Sequence, residues 1–533
     1  MIGATIGRAS QVVWLAAGAL GVPAAARAQA ALPGAAATAT NPVQATPAAV
    51  VTRADLAAAY RAFDRAVTAN PPAADRLGAL NTAFDQATLM FFAGRYGEAV
   101  RRIHELTARV LGDTGAAANA PLAAYRATVE PRVIVRGARN ASPAATVSLT
   151  PLYGPASASP ATDSLHIVAT IERGSGSPTA ATALVAASRG LLPGATISAP
   201  LAPQALRPLS AGRYRVTLRN ARGLASTPPV VGGEWFVTDR DPDSLRADFQ
   251  RRALPLDTIV PAELLDAVAT FKARTRNLTS TPSPASTTQM DANPAELGRD
   301  LDAEFRDLVE GVNPYANRAG HLWRVLKTAT KLIPLRTYVP VAVARARVPA
   351  PLVIALHGVG GDENMFPEAL GAGLLVRLAD QHGFVVASPN TDAFAATAEE
   401  FDALVAALAA QVPIDRSRVY VIGHSRGAGQ AFALAASRAD AIAGVVCIAG
   451  LGRAPAPGST VAPTLAFLAE LDPIAQPARL KPVAEQAAAA GLALELRIVP
   501  QQGHTLVVSA SLPAAIEWLL PRRRALAAPR SAP

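Results

Sequence analysis

The run Val419-Tyr420-Val421-Ile422 leads directly into Gly423-His424-Ser425-Arg426-Gly427 and then into an alanine-rich helical stretch that ends near Arg438. A short apolar run of this kind is a strand buried on both faces, which needs neighbouring strands beside it and helices above and below. The two glycines flank the serine at the positions where a sharp strand-to-helix turn brings other backbone into contact. Such a turn lifts the serine hydroxyl above the sheet. It also aims the first amides of the following helix at negative charge developing beside that hydroxyl. The G-x-S-x-G pattern alone arises easily by chance; the strand before it and the helix after it are what give it weight.

From residue 321 onward the same alternation continues, which predicts a mostly parallel sheet flanked by helices. Leu352 to Leu356 is a buried strand ending in His357-Gly358-Val359-Gly360-Gly361, and Phe384 to Ser388 is a second, ending at Pro389-Asn390. Ala443 to Ile448, Thr464 to Ala469 and Leu492 to Val499 are further strands, with helices at Phe401 to Ala410 and Leu512 to Leu520. The glycine loop after Leu356 stands where an oxyanion-binding loop is expected, and the Val359 and Arg426 N–H groups are the candidate donors. A plain glycine turn is the alternative there. Downstream, Asp472 follows one strand and His504 another, so the order is Ser425, Asp472, His504. His504 is the candidate base for Ser425, and Asp472 the candidate that orients it. Glu470 competes for the acidic role but falls on the strand, whereas Asp472 falls in the loop beyond it. His357 and His424 lie beside glycine turns and read as structural.

Together, HGVGGDENMF, RVYVIGHSRGAG, ELDPI and GHTL resemble the α/β-hydrolase superfamily, in particular the small secreted esterases grouped with polyhydroxybutyrate depolymerases, feruloyl esterases and dienelactone-hydrolase-like proteins. The resemblance covers residues 321–520 and none of the first 320. It implies carboxylic-ester hydrolysis through an acyl-serine intermediate, with no cofactor and no metal. The chain departs from the depolymerase pattern at Arg426, where that group often has Asn, and at Glu470-Leu471, where a His-Gly type turn is common. Ser425 and Asp472 are 47 residues apart, and Asp472 and His504 are 32 apart. Neither interval holds a large inserted cap, so the site is expected to be open unless the N-terminal regions fold over it, which favours a bulky or polymeric ester over a small one.

The regions before residue 321 read differently. Within 51–130, Val100, Ile103, Leu106 and Val110 recur at helical spacing and predict a helical hairpin. FFAGRYGEAVRRIHEL resembles one tetratricopeptide helix but has no repeat at the required period. His104 on this helix reads as a surface or interface histidine. From 131 to 240 the period falls to two, with Tyr214, Val216 and Leu218 alternating against Arg213, Arg215, Thr217 and Arg219, which predicts a β-sandwich. SAGRYRVTLRN resembles the late strands of bacterial immunoglobulin-like modules, which act as spacers or bind polymers and protein partners, so a polymer or protein ligand stays open for this region. His166 is assigned to a strand face. Residues 241–320 return to helix, with a Ser/Thr/Pro-rich break at 279–289. Asp300, Asp302, Glu304, Asp307 and Glu310 read there as a solvated face.

The ends and the charge bound the remaining possibilities. Arg8, the apolar stretch Val12 to Val22 and Ala26-Arg27-Ala28 predict an export signal over 1–28 with cleavage near Ala28, then a linker at 29–50, and hence a secreted or periplasmic protein. A membrane anchor is the alternative, but Arg27 closes the apolar stretch short of the ~20 residues a span needs, so no membrane span is expected after cleavage. The net charge of +10 comes almost entirely from arginine, since the chain has four lysines. The arginines are dispersed and aromatics are 5%, which is not the concentrated basic, stacking surface of a nucleic-acid binder. Cys447 is the single cysteine, so no intrachain disulfide forms. The exception to the dispersed charge is Arg522, Arg523 and Arg524, which open a tail at 521–533 that is expected to be disordered. The leading expectation is an exported serine esterase acting on a small-molecule or polymeric ester. The competing ones are a prolyl-oligopeptidase-type peptidase and a surface-binding protein with a dormant hydrolase domain.

Overall fold

The computed structural model describes residues 50–112, 122–136, 145–153, 167–173, 182–185, 197–201, 206–207, 209–220, 230–281, 293–456 and 458–524. The expected signal at 1–28, the linker up to residue 49, His166, most of the Ser/Thr/Pro-rich break and residues 525–533 of the tail lie outside the described residues.

Among the described residues three helices come first, α1 (Arg53–Ala69), α2 (Ala74–Phe92) and α3 (Tyr96–Leu111). The hairpin expected from the sequence is therefore a three-helix unit. Thr52 starts α1 through a capping box: its hydroxyl accepts from the Asp55 amide while the Asp55 carboxylate accepts from the Thr52 amide, satisfying two donors that a helix start leaves orphaned. Pro71-Pro72 separates α1 from α2, and Gly94, with φ of 73°, makes the turn into α3. Val100, Ile103 and Leu106 form the buried stripe of α3, in one core with Phe63 of α1 and Phe84 of α2. His104 is tied to Tyr153 by a 2.9 Å hydrogen bond, and burial pushes it down to about 4, so it is neutral.

Eight strands follow: β1 (Tyr125–Glu130), β2 (Val133–Val135), β3 (Ala145–Pro151), β4 (Ile167–Arg173), β5 (Thr182–Val185), β6 (Ile197–Leu201), β7 (Gly212–Asn220) and β8 (Val230–Thr238). They form one sheet in the order β1-β3-β6 and another in the order β2-β8-β7-β4-β5. Tyr125, Ala127 and Val129 of the first sheet share a single apolar core with Tyr214, Val216 and Trp235 of the second. The strands begin at Tyr125, inside the segment the sequence assigned to helix. Arg126 on β1 donates to Asp55 on α1 at 2.9 Å and so joins this region to the helices.

Next come α4 (Pro242–Arg252), α5 (Leu265–Arg276) and α6 (Pro294–Val309), packed through Phe249, Phe271 and Leu301. Here the acidic cluster is not all solvated. Glu304 is 2% exposed and is held by Arg274 at 3.1 Å, Arg318 at 2.8 Å and the Tyr315 hydroxyl at 2.8 Å. Its spacing resembles a wet helix face, but the arginines that neutralise it come from α5 and from the loop after α6, where periodicity does not reveal them. Arg274 also donates to the Trp323 carbonyl at 3.1 Å, fixing these helices to the next sheet.

That sheet has eight strands: β9 (Gly320–Lys327), β10 (Leu332–Val339), β11 (Ala350–Leu356), β12 (Val385–Pro389), β13 (Ile414–His424), β14 (Gly444–Ile448), β15 (Thr464–Ala469) and β16 (Leu494–Val499). Its order is β16-β15-β14-β13-β11-β12-β10-β9, with the two strands at the β9 edge antiparallel and the six from β11 onward parallel. The fully buried β11, β12, β14 and β15 are the apolar runs of the sequence, and separate apolar clusters cover the two faces of the sheet. Covering helices are α7 (Leu374–His382), α8 (Ala398–Ala409), α9 (Arg426–Ser437), α10 (Pro477–Ala489) and α11 (Val507–Leu519). The start of the tail is anchored rather than loose: Arg522 stacks on the Trp518 ring at 3.3 Å, Arg523 pairs with Asp415 at 3.3 Å and the Arg524 amide donates to Ser417 at 2.9 Å. Among the described residues no helix is long and apolar enough to cross a membrane.

Candidate active site

Ser425 sits between the end of β13 and the start of α9 with φ of 55° and ψ of −116°, a conformation that L-residues with a β-carbon rarely adopt. Backbone crowding explains the flanking glycines. A β-carbon on Gly423 would lie 2.1 Å from the Gly427 carbonyl oxygen, and one on Gly427 would lie 2.1 Å from that of Leu356. The turn is thus wedged against β11, the strand that delivers the glycine loop. Gly358 in that loop lies close to the Ser425 side chain, 3.1 Å from its β-carbon measured from a β-carbon built on the glycine. The amides of Val359 and Arg426 donate to no protein acceptor among the described residues, so both are available to a ligand.

The loops after β15 and β16 bring Asp472 and His504 to the same place. His504 Nε2 is 3.1 Å from Ser425 Oγ, and His504 Nδ1 is 2.8 Å from Asp472 Oδ2. The other Asp472 oxygen accepts from the amides of Ile474 and Ala475, each at 2.8 Å, so the carboxylate is fixed on both sides. Asp472 and His504 are 4% and 2% exposed. Glu470, the competing acid, is exposed and accepts from the Gln501 amide at 2.8 Å, away from the histidine. A hydroxyl hydrogen-bonded to an imidazole, itself hydrogen-bonded to a buried carboxylate, can pass the hydroxyl proton to nitrogen and stabilise the resulting charge.

The α/β-hydrolase fold family matches residues 351–506, the stretch that runs from β11 through His504. The C-terminal domain has the α/β-hydrolase fold.

A comparison with curated protein sequences finds no match. Solved structures similar to the chain include the feruloyl esterase module from Clostridium thermocellum, at 14% identity and TM-score 0.33, covering 38% of this chain and 88% of that one. An S-formylglutathione hydrolase from Agrobacterium tumefaciens is similar at 17% identity and TM-score 0.31, covering 38% and 96%. A thermostable esterase is similar over a longer stretch, covering 71% of this chain and 95% of its own, at 14% identity and TM-score 0.34.

Two further histidines of the hydrolase domain support the site from behind. Burial pushes His357 down to about 4 and His424 down to about 3, so both are neutral. His357 Nδ1–H donates to the Gly358 carbonyl at 2.8 Å while its Nε2 accepts from the Thr391 amide at 2.9 Å, which holds the glycine loop. His424 Nε2–H donates to the His504 carbonyl at 3.0 Å. Arg426, beside the serine, turns its side chain away to Thr391 Oγ1 at 2.6 Å and Asp392 at 2.5 Å.

The site expected to be open is not, because the exception to that expectation holds: the N-terminal helices fold over it. Ser425, His504 and the glycine loop form the floor of a cavity of about 150 Å³ whose walls are Leu56, Tyr60, Phe84, Phe91 and Ile103 of α1–α3, with Met365 opposite. Arg53 on α1 donates to the Gly360 carbonyl at 2.5 Å, and Asp64, further along, accepts from the Gly371 amide at 3.1 Å. On α2, Asn81 and Asp85 accept from the Gly503 and His504 amides. None of these side chains was singled out by sequence reasoning, since the signal they carry is weak. Asn81, Asp85 and Thr88 are spaced four and three apart, which places three polar groups on one face of the helix.

Proposed function

We propose that the chain is a serine esterase in which Ser425 is the nucleophile, His504 the general base and Asp472 the residue that orients and stabilises the imidazole. Ser425 Oγ attacks the ester carbonyl as its proton passes to His504 Nε2. The tetrahedral oxyanion accepts from the Val359 and Arg426 amides, and the alcohol departs with the proton from His504. Water then repeats the sequence on the acyl-serine, regenerating the free hydroxyl. The observation that carries the reading is the continuous hydrogen-bonded line from Asp472 through His504 to a serine held at positive φ beside two unpaired amides.

The cavity bears on the substrate. Its walls are almost wholly apolar, and a space near 150 Å³ is filled by a group about the size of one six-membered ring. An ester with one compact apolar arm fits better than the bulky polymer that an open cleft would favour. We read residues 131–240 as an immunoglobulin-like spacer and residues 1–28 as a cleaved export signal, which makes the enzyme secreted or periplasmic.

The test is hydrolysis of short-chain p-nitrophenyl esters, with fluorophosphonate labelling, by wild type and by Ser425→Ala. Turnover and labelling that both disappear in the variant support the esterase. A folded wild type that neither turns over nor labels removes it.

A further inference from the structure

The hydrolase domain does not hold its own histidine loop unaided. The amides of Gly503 and His504 point out of the domain and donate, each at 2.8 Å, to Asn81 Oδ1 and Asp85 Oδ2 on α2, more than 400 residues earlier in the chain. Both acceptors are buried, at 0% and 2% exposure. Asn81 is fixed in orientation because its Nδ2 donates to the Leu77 carbonyl at 3.0 Å, leaving the oxygen to face Gly503. The approach is so close that a β-carbon on Gly503 would lie 2.2 Å from Asp85 Oδ2. One residue on, the Thr505 hydroxyl is 3.2 Å from that of Thr88.

The peptide of His504 is therefore gripped from both sides, its N–H by Asp85 of α2 and its C=O by His424 at the end of β13. The ring is then gripped by Asp472. A backbone amide needs only a neutral acceptor, and Asn81 shows that an amide side chain serves. At Asp85 the chain instead buries a carboxylate whose second oxygen meets no well-formed hydrogen bond among the described residues, although the Thr505 backbone also favours its charged form. An uncompensated buried carboxylate is costly unless its charge is used.

We propose that Asp85 and Asn81 are positioning residues for His504, and that the negative charge of Asp85 supports the histidine when it carries the Ser425 proton, so that helix α2 completes the active centre of the hydrolase domain. The inference rests on the serine-hydrolase reading above. The titratable groups facing Asp85 are His504 and, beyond it, Asp472; His504 favours the charged form of Asp85 and Asp472 opposes it. Burial, the largest influence, pushes Asp85 up to about 6. The charge is thus present at neutral pH and is lost as pH falls through 6.

This gives the two residues different signatures. Asp85→Asn keeps an acceptor for the His504 amide but removes the charge, so its rate of ester hydrolysis should be about tenfold below wild type at pH 8. The deficit should shrink as pH falls below 6, where wild-type Asp85 is itself neutral. Asn81→Ala removes an acceptor and no charge, so its deficit, roughly threefold to tenfold, should be the same at every pH. The measurement is kcat/KM and the fluorophosphonate labelling rate between pH 5 and pH 9 for wild type, Asp85→Asn and Asn81→Ala. Melting temperatures verify that each protein is folded. A pH-dependent deficit in Asp85→Asn beside a flat one in Asn81→Ala supports the proposal. A reactive wild type whose Asp85→Asn variant tracks it across the range overturns this proposal alone. A folded wild type whose Ser425 does not react overturns the hydrolase reading and this one with it.

Discussion

The ring of Phe91 lies against the backbone of Gly360, so that a side chain of the second helix closes the cavity beside the loop that carries Val359. Phe91 should therefore set the size of the group accepted over Ser425. In Phe91→Ala, kcat/KM for esters with a longer or branched apolar arm is expected to rise about tenfold relative to the shortest ester, an effect of one or two kcal/mol in a hydrophobic pocket. A series of p-nitrophenyl esters of increasing chain length reads this directly, and an unchanged preference would place the substrate elsewhere.

The strained backbone at Ser425 predicts a split between stability and activity. Ser425→Ala and Ser425→Gly should both lower esterase turnover by roughly 10⁴-fold or more. Only the glycine variant relieves the positive φ, whose cost of about 1–3 kcal/mol exceeds the ~0.5–1 kcal/mol entropic penalty of glycine. Ser425→Gly should accordingly melt above Ser425→Ala, as read by calorimetry or circular dichroism.

A buried acid on α1 gives a pH dependence of folding. Burial pushes Asp64 from its ordinary 3.8 up to about 7. Between these values the folded chain keeps the proton and the unfolded chain has lost it, so stability should fall as pH rises through that window and level off above it. In Asp64→Asn, which can still accept from the Gly371 amide, the part of the fall that Asp64 contributes should be absent, while that of Asp85, which ends near pH 6, remains. Its gain in stability over wild type, on the order of 2–4 kcal/mol, should be largest above pH 7 and close to zero below pH 4. Denaturation by urea across that pH range checks it.

Glu304 offers a test of the second helical region. Removing this buried carboxylate by Glu304→Ala leaves Arg274 and Arg318 with the more exposed Asp300 as their remaining carboxylate partner, and the loss should be about 3 kcal/mol, the low end for a broken buried pair. Since Arg274 also holds the Trp323 carbonyl, the edge strand β9 should lose amide-exchange protection before the central strands β11 and β13 do.

The parallel part of the large sheet was readable in the sequence because burial on both faces leaves uninterrupted apolar runs, as in Leu352 to Leu356. The antiparallel pair β9 and β10 was not, since Trp323, Arg324, Arg336 and Thr337 interrupt the pattern and find partners only in three dimensions, such as Glu363 for Trp323 and Asn364 for Arg336. The candidates Ser425, Asp472 and His504 were legible because each follows a strand in the same domain. Asp85, Asn81 and Phe91 were not: in a helix they look like ordinary side chains, and what gives them meaning is a loop far along the chain.

Because α1–α3 supply walls of the cavity and acceptors for Gly503 and His504, the working unit is not the segment 321–520 that local patterning delimits. A gene trimmed to that segment would encode a floor without its walls, with two loop amides left unpaired. Recombination that exchanged the leading helices for those of another protein would exchange part of the substrate pocket as well. The front of this chain thus belongs to the same cavity as its back.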